Sequence, residues 1–290
     1  MVRLLRLEFR RLFKDKAFFA IFIIIAIIAL LQILVASNSY YEDPFGHVYW
    51  LMPLRDIITT SFQISSTPFI LIGIFISLFI AKDIAQGTIR NKLIAGYSKL
   101  EVYWSTLIIA STIAFFGMVL YQGLIMAFVW KIPFQTEAFA VNELENFMVF
   151  WAVGYLLILM TTSITTFISM MVKNMAGAII LTIAFLAFTL VLALLIQSLL
   201  EYLLIYQRYD LFLDAQGAQD ALDALHSVLD YFFIFQLEKY SQTLFNYTEI
   251  PNYYSTEGGL YLYKVLGTNA ALLALVNVGG AYWFRKTDLK

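Results

Sequence analysis

The sequence predicts an all-α integral membrane protein of six transmembrane helices. Composition, apolar run length and charge placement carry that reading. Of 290 residues, 61% are hydrophobic and 13% charged, against a soluble norm of about 25% charged. Six apolar stretches, at residues 17–37, 57–81, 105–130, 147–172, 176–200 and 265–284, each approach the ~20 residues that a spanning helix needs. Lipid offers backbone groups no hydrogen-bond partner, so such stretches must be helical. The chain reads as one domain over residues 1–290.

Charge placement supplies the orientation. Residues 1–16, 82–104, 173–175 and 285–290 hold 14 of the 19 Lys and Arg, whereas the alternate segments hold 15 of the 20 Asp and Glu. Excess Lys and Arg marks the cytoplasmic side, so both termini are expected inside. A net charge of −1 thus conceals a basic inner and an acidic outer face, and it gives no footprint for a nucleic-acid partner. The bilayer is the partner this composition demands.

Element by element, residues 2–16 come first. Val2, Leu5, Phe9 and Leu12 recur at helical spacing, and Arg3, Arg6, Arg10 and Lys14 recur on a neighbouring face. That pattern predicts a basic amphipathic helix in the headgroup layer; a bare topology signal would need only the charge. The first apolar run is too long for the ~7–15-residue core of a cleavable signal, and five more follow it. The next outer loop, with Tyr40, Tyr41, Tyr49 and Trp50, reads as an interfacial aromatic belt. Pro68 falls inside the second run, where a missing donor can kink or break a helix, although a Pro tolerated by packing is the commoner case.

Residues 82–104 form the densest stretch. Asp83 sits near the start of a short helical pattern whose apolar side is Ile84, Ile89 and Leu93. Gly87 and Gly96 bracket a helical segment carrying Arg90 and Lys92, and the Thr88 hydroxyl is a candidate cap.

Gly87-Thr88-Ile89-Arg90-Asn91-Lys92, then Gly96-Tyr97-Ser98-Lys99 and Tyr103, resembles the loop after the second span of type-2 ABC exporter permeases, in the branch linked to bacitracin and lantibiotic export. The resemblance implies a coupling helix at residues 87–95 that docks into a separate ATP-binding subunit, with the N-terminal helix as a flanking elbow. It implies two ATPase subunits, with ATP and Mg bound there, and a second permease copy or homologous permease. It also implies the bacterial cytoplasmic membrane. Asp83, Gly87, Thr88, Ile89, Arg90, Asn91, Lys92, Leu93 and Lys99 would form the coupling surface, with Lys173 and Asn174 at a smaller contact. Arg90, Lys92 and Lys99 would supply charge, while Ile89 and Leu93 would fill an apolar cleft. An ordinary basic inner loop is the plainer alternative.

In the fourth span, Thr162, Thr165 or Thr166, and Ser169 fall on one face. Such a stripe either bonds helix to helix or lines a path for substrate. The outer segment, 201–264, carries Leu222, Leu225, Leu229 and Phe232 at helical spacing with Asp220, Asp223 and Asp230 between them. This predicts an acidic amphipathic helix over 217–239. The last span holds Gly267, Ala270, Ala271, Ala274 and Gly280, small enough for close helix approach. Its tail, Phe284-Arg285-Lys286-Thr287-Asp288, is similar to tails in the resembled family.

Several chemistries have no residues to run them. No Gly is followed by Lys, so a phosphate loop is missing and any ATPase must be another chain. No Cys is present, and no ionisable group lies mid-span, as proton- or ion-coupled transport generally requires. No cofactor, metal site or catalytic centre is expected in this chain. An uncharged path suits amphipathic or lipophilic cargo, such as an antimicrobial peptide. The rival from another class is a non-transporting scaffold or sensor that binds a partner through its acidic outer segment.

Overall fold

The computed structural model describes residues 1–38, 40–42, 48–50, 67–129, 141–172, 174–208 and 258–287. Among them are eight helices: α1 (Val2–Leu12), α2 (Lys16–Asn38), α3 (Thr67–Ala85), α4 (Thr88–Ile94), α5 (Lys99–Val129), α6 (Val141–Met171), α7 (Met175–Arg208) and α8 (Gly258–Lys286). Five of these, α2, α3, α5, α6 and α7, are long and apolar enough to cross a membrane. This is a helical, multi-pass membrane protein. The sixth expected span, residues 265–284, falls within the 29 residues of α8, which is not one of the five found among the described residues. The predicted outer helix at 217–239 lies outside the described residues.

Sequence reading misplaced several boundaries. Lys82 and Asp83 belong to the last turn of α3 rather than to a loop. Pro68 stands in the first turn of the described helix, where a missing N–H breaks no intrahelical bond. Helix α7 continues to Arg208; at 1.5 Å per residue its 34 residues extend about 50 Å, well beyond the hydrocarbon thickness. A short antiparallel hairpin pairs Tyr40–Glu42 with Val48–Trp50. Its β-forming Tyr, Val and Trp flank Asp43-Pro44-Phe45-Gly46, a turn signal that an aromatic-belt reading passed over.

The bundle is organised around α3, α5 and α6. Helix α3 packs on α2, α5, α6 and α7, while α8 lies against α6 and α5. Helices α2 and α7 are peripheral, and most of their apolar surface faces outward. The core joins Ile25, Ile72, Ile76, Ile80, Val102, Tyr103, Ile113 and Tyr121. Helix α8 approaches closely because Gly280 has no side chain: a Cβ there would lie 2.2 Å from the Tyr103 hydroxyl. Small residues at close crossings are what membrane helix packing selects.

Candidate functional site: a charged junction at one end of the bundle

The start of α1, the end of α3, the short α4, the start of α5 and the end of α8 meet at one end of the bundle. Helix α4 is set off by Gly87 (φ +65°) and Gly96 (φ +90°), left-handed conformations that residues with a Cβ rarely adopt. The chain can therefore leave α3, make two turns and enter α5 without a long connection. Gly87 is the N-cap of α4 and no side chain caps it, so the expected Thr88 cap does not form. Helix α5 does have a side-chain cap. Ser98 Oγ accepts the Glu101 amide at 3.2 Å, and the Ser98 amide donates to Glu101 Oε2 at 3.0 Å. This reciprocal pair is a capping box, legible as Ser98-Lys99-Leu100-Glu101 but overlooked in favour of the basic residues.

Four charges close the junction. Glu8, on the buried face of α1 with Leu4 and Leu12, forms ion pairs with Lys92 Nζ through Oε1 and with Arg11 Nη2 through Oε2 at 3.1 Å. Asp83 takes Arg11 Nη1 through Oδ1 and Lys92 Nζ through Oδ2 at 3.0 Å. Two acids thus alternate with two bases, and Glu8 and Asp83 are only 3% and 5% exposed. The Arg11 guanidinium also lies over the Phe79 ring at 4.3 Å. Buried charges persist only when paired; here the four come from three helices, Glu8 and Arg11 from α1, Asp83 from α3 and Lys92 from α4. The result ties α1, α3 and α4 into one unit.

A second ion pair sits beside the first. Lys82 Nζ donates to Asp15 Oδ2 at 2.9 Å, and Asp15 Oδ1 accepts the Ala17 amide at 3.0 Å, capping α2. Partial burial pushes the Asp15 carboxyl up, but the Lys82 bond, the Ala17 amide and the charges of Lys82 and Arg11 outweigh it. They hold it below its ordinary value of 3.8.

Not every sequence-selected residue is available for docking. Lys92 is held, half-buried, in the four-charge cluster, and Ile89 is turned into the core at 3% exposure. Leu93 packs against the same core. Asp83 is likewise internal, so none of these four offers a free contact. Lys99 donates to the carbonyls of Arg285 at 3.1 Å and Thr287 at 2.8 Å, closing the end of α8. Asn174 caps α7 by accepting the Gly177 amide at 2.5 Å; Lys173 lies outside the described residues. What α4 presents outward is Arg90 and Asn91, with Ile94 75% exposed.

The N-terminal helix follows its predicted pattern in part. Arg3, Arg6, Arg10 and Lys14 are exposed, and Leu5 and Phe9 are half-buried. Val2, however, is exposed, and the buried line is Leu4, Glu8 and Leu12. Helix α1 packs on α5, with the Met1 amine 3.0 Å from Glu101 Oε1. Glu8 was missed although a signal existed. It is the one acid in residues 1–14 and stands four residues from Leu4 and from Leu12, so an apolar face carries a charge that needs a partner.

Comparison with known protein families and with curated proteins finds no match to this chain.

Away from the junction, the hydroxyl stripe of α6 is a packing seam. Thr162, Thr165, Thr166 and Ser169 are all buried. Ser169 Oγ donates to Ser77 Oγ at 3.0 Å, as does Thr182 Oγ1 at 3.0 Å, while Ser77 Oγ donates to the Ala178 carbonyl at 3.2 Å. Three helices, α3, α6 and α7, are joined by one hydroxyl. Thr165 Oγ1 turns back to the Thr162 carbonyl at 3.0 Å. Of the two alternatives for this stripe, bonding from helix to helix is the one the Ser169 contact accords with.

Proposed function

We propose that this chain is the membrane-spanning permease subunit of an ATP-driven type-2 ABC exporter, assembled with two ATP-binding subunits and a second permease. The observation that carries this reading is α4: a two-turn helix between left-handed glycines, anchored inward by Ile89 and Lys92 and presenting Arg90, Asn91 and Ile94 outward. A docking helix needs a free face for its partner and a rigid connection to the spans it must move, and α4 combines the two. A plain basic loop needs neither. Movement imposed on Arg90 and Ile94 would pass through the Lys92, Glu8, Arg11 and Asp83 cluster to α1 and α3 as one body.

Supporting observations come from both ends of the chain. The Met1 amine and the carbonyls of Arg285 and Thr287 all meet residues 99–101, which accords with a six-span plan having both termini on one side, taken as cytoplasmic from the Lys and Arg bias. ATP and Mg belong to the partner subunits. Spans without mid-membrane charge suit amphipathic or lipophilic cargo, such as an antimicrobial peptide. With the α6 hydroxyls committed to packing, its path would run between the two permeases.

The test is co-expression with the candidate ATP-binding subunit, followed by co-elution and ATPase assay in detergent, using the double substitution Arg90→Glu and Ile94→Asp. Both side chains are exposed, so the variant should keep the wild-type melting temperature, surface changes usually staying within about 0.5 kcal/mol. It should release the ATPase subunit and abolish any permease-dependent ATPase activity. An unaffected complex overturns the reading and favours the scaffold alternative.

A further inference from the structure

A cleft of about 390 Å³ opens where α1 turns into α2 and faces the end of α3. Four cations, Arg11, Lys14, Lys16 and Lys82, and two carboxylates, Asp15 and Asp83, line it. Both carboxylates are already matched, Asp15 by Lys82 and Asp83 by Arg11 and Lys92. Lys14 and Lys16 are exposed and form no ion pair with the described residues. The cleft therefore keeps two open cations at its mouth.

What lies next to Lys16 indicates the occupant. Phe19, Ile23 and Ile27 follow it on the same face of α2, and each is at least half exposed. From Lys16 to Ile27 is 11 residues, about 16 Å of helix, close to half of a ~30 Å hydrocarbon core. A charged cleft at the membrane boundary thus continues into an apolar track one leaflet deep. A free phosphate would use only the first part.

We propose that this cleft is a binding site for an anionic phospholipid, with the headgroup phosphate between Lys14 and Lys16 and an acyl chain along Phe19, Ile23 and Ile27. The recognition is the usual attraction of clustered Lys and Arg for anionic headgroups, given a fixed position by the closed junction beneath it. The proposal needs the chain to span a membrane and does not depend on transport.

Detergent-purified protein would be titrated with phosphatidylglycerol, phosphatidylcholine or inorganic phosphate, reading bound lipid by native mass spectrometry and the melting temperature in parallel. Phosphatidylglycerol should bind stoichiometrically and raise the melting temperature, and phosphatidylcholine and inorganic phosphate should do neither. Changing Lys14 and Lys16 to Gln should weaken phosphatidylglycerol binding about tenfold or more. A control changing Arg3 and Arg6 to Gln removes the same charge from α1, away from the cleft, and should leave binding intact. Equal binding of both lipids, an equal response to inorganic phosphate, or equal losses in the two variants would each overturn the site.

Discussion

Helix α3 carries two polar clusters of different kinds, and they are six residues apart. At Asp83 four charges from three helices interlock; at Ser77 three uncharged hydroxyls from three helices do so. Six residues correspond to about 9 Å along the helix. The charged cluster occupies the end of the span and the hydroxyl cluster lies further in. That order follows from the medium. Ionised groups become more expensive with depth, while hydroxyls can satisfy one another or a backbone carbonyl without carrying charge inward. The difference also divides labour: the deep cluster holds span to span, and the shallow one holds the spans to α4.

Breaking the charged cluster should have the largest effect. Asp83→Leu leaves the half-buried Arg11 and Lys92 facing Glu8 alone, an uncompensated positive charge, and should cost up to about 3 kcal/mol, the low end for breaking a buried pair because Arg11 is partly solvated. The expected result is a sharply lower melting temperature or failure to purify as a monodisperse species. Asp83→Leu with Lys92→Met removes one acid and one base together and should recover most of the loss, since apolar replacement of a buried pair is often near neutral. If the single and double variants melt alike, the four charges do not act as a unit.

How much of this could be read from the chain depends on how local the signal was. The spans were legible because apolar runs announce themselves, and α4 because Gly87 and Gly96 mark its limits. The ends of α3 and α5 were not, since Lys82, Asp83 and Lys99 look like loop charges until their partners are known. Those partners are remote: Arg11 is 72 positions from Asp83, and Thr287 is 188 from Lys99. Sequence spacing also shows which residues share a helix face without showing what covers it. Spacing alone therefore puts Ile89 and Lys92 on a contact face, whereas Ile94 carries the exposed apolar surface.

The hydroxyl cluster should respond less. Ser77→Ala removes the acceptor for Ser169 and Thr182 but leaves no charge behind. Hydrogen bonds between membrane helices average about 0.6 kcal/mol with an upper range near 1.7. The variant should remain folded, with a melting temperature lowered by a few degrees, and Ser77→Thr should retain more stability than Ser77→Ala if the oxygen, not the small volume, is what matters. A loss as large as that of Asp83→Leu would show that the deep cluster rather than the charged one holds the fold.

The smallest effect belongs to the outlying pair of Asp15 and Lys82, and it should be visible as a pH dependence. Asp15 is held below its ordinary value in the folded chain, so the unfolded chain binds the proton more readily. The pair therefore stabilises above that ordinary value, and its contribution is lost as pH falls through the lowered folded value. Lys82 is 39% exposed, so water screens the pair and its worth should stay below about 1 kcal/mol. Wild type and Asp15→Asn should differ by a small, constant amount near neutral pH and converge in acid. An Asp15→Asn variant more stable than wild type near neutral pH, with the difference vanishing in acid, would mean that Asp15 is strained by its burial instead of stabilised by Lys82 and the α2 cap.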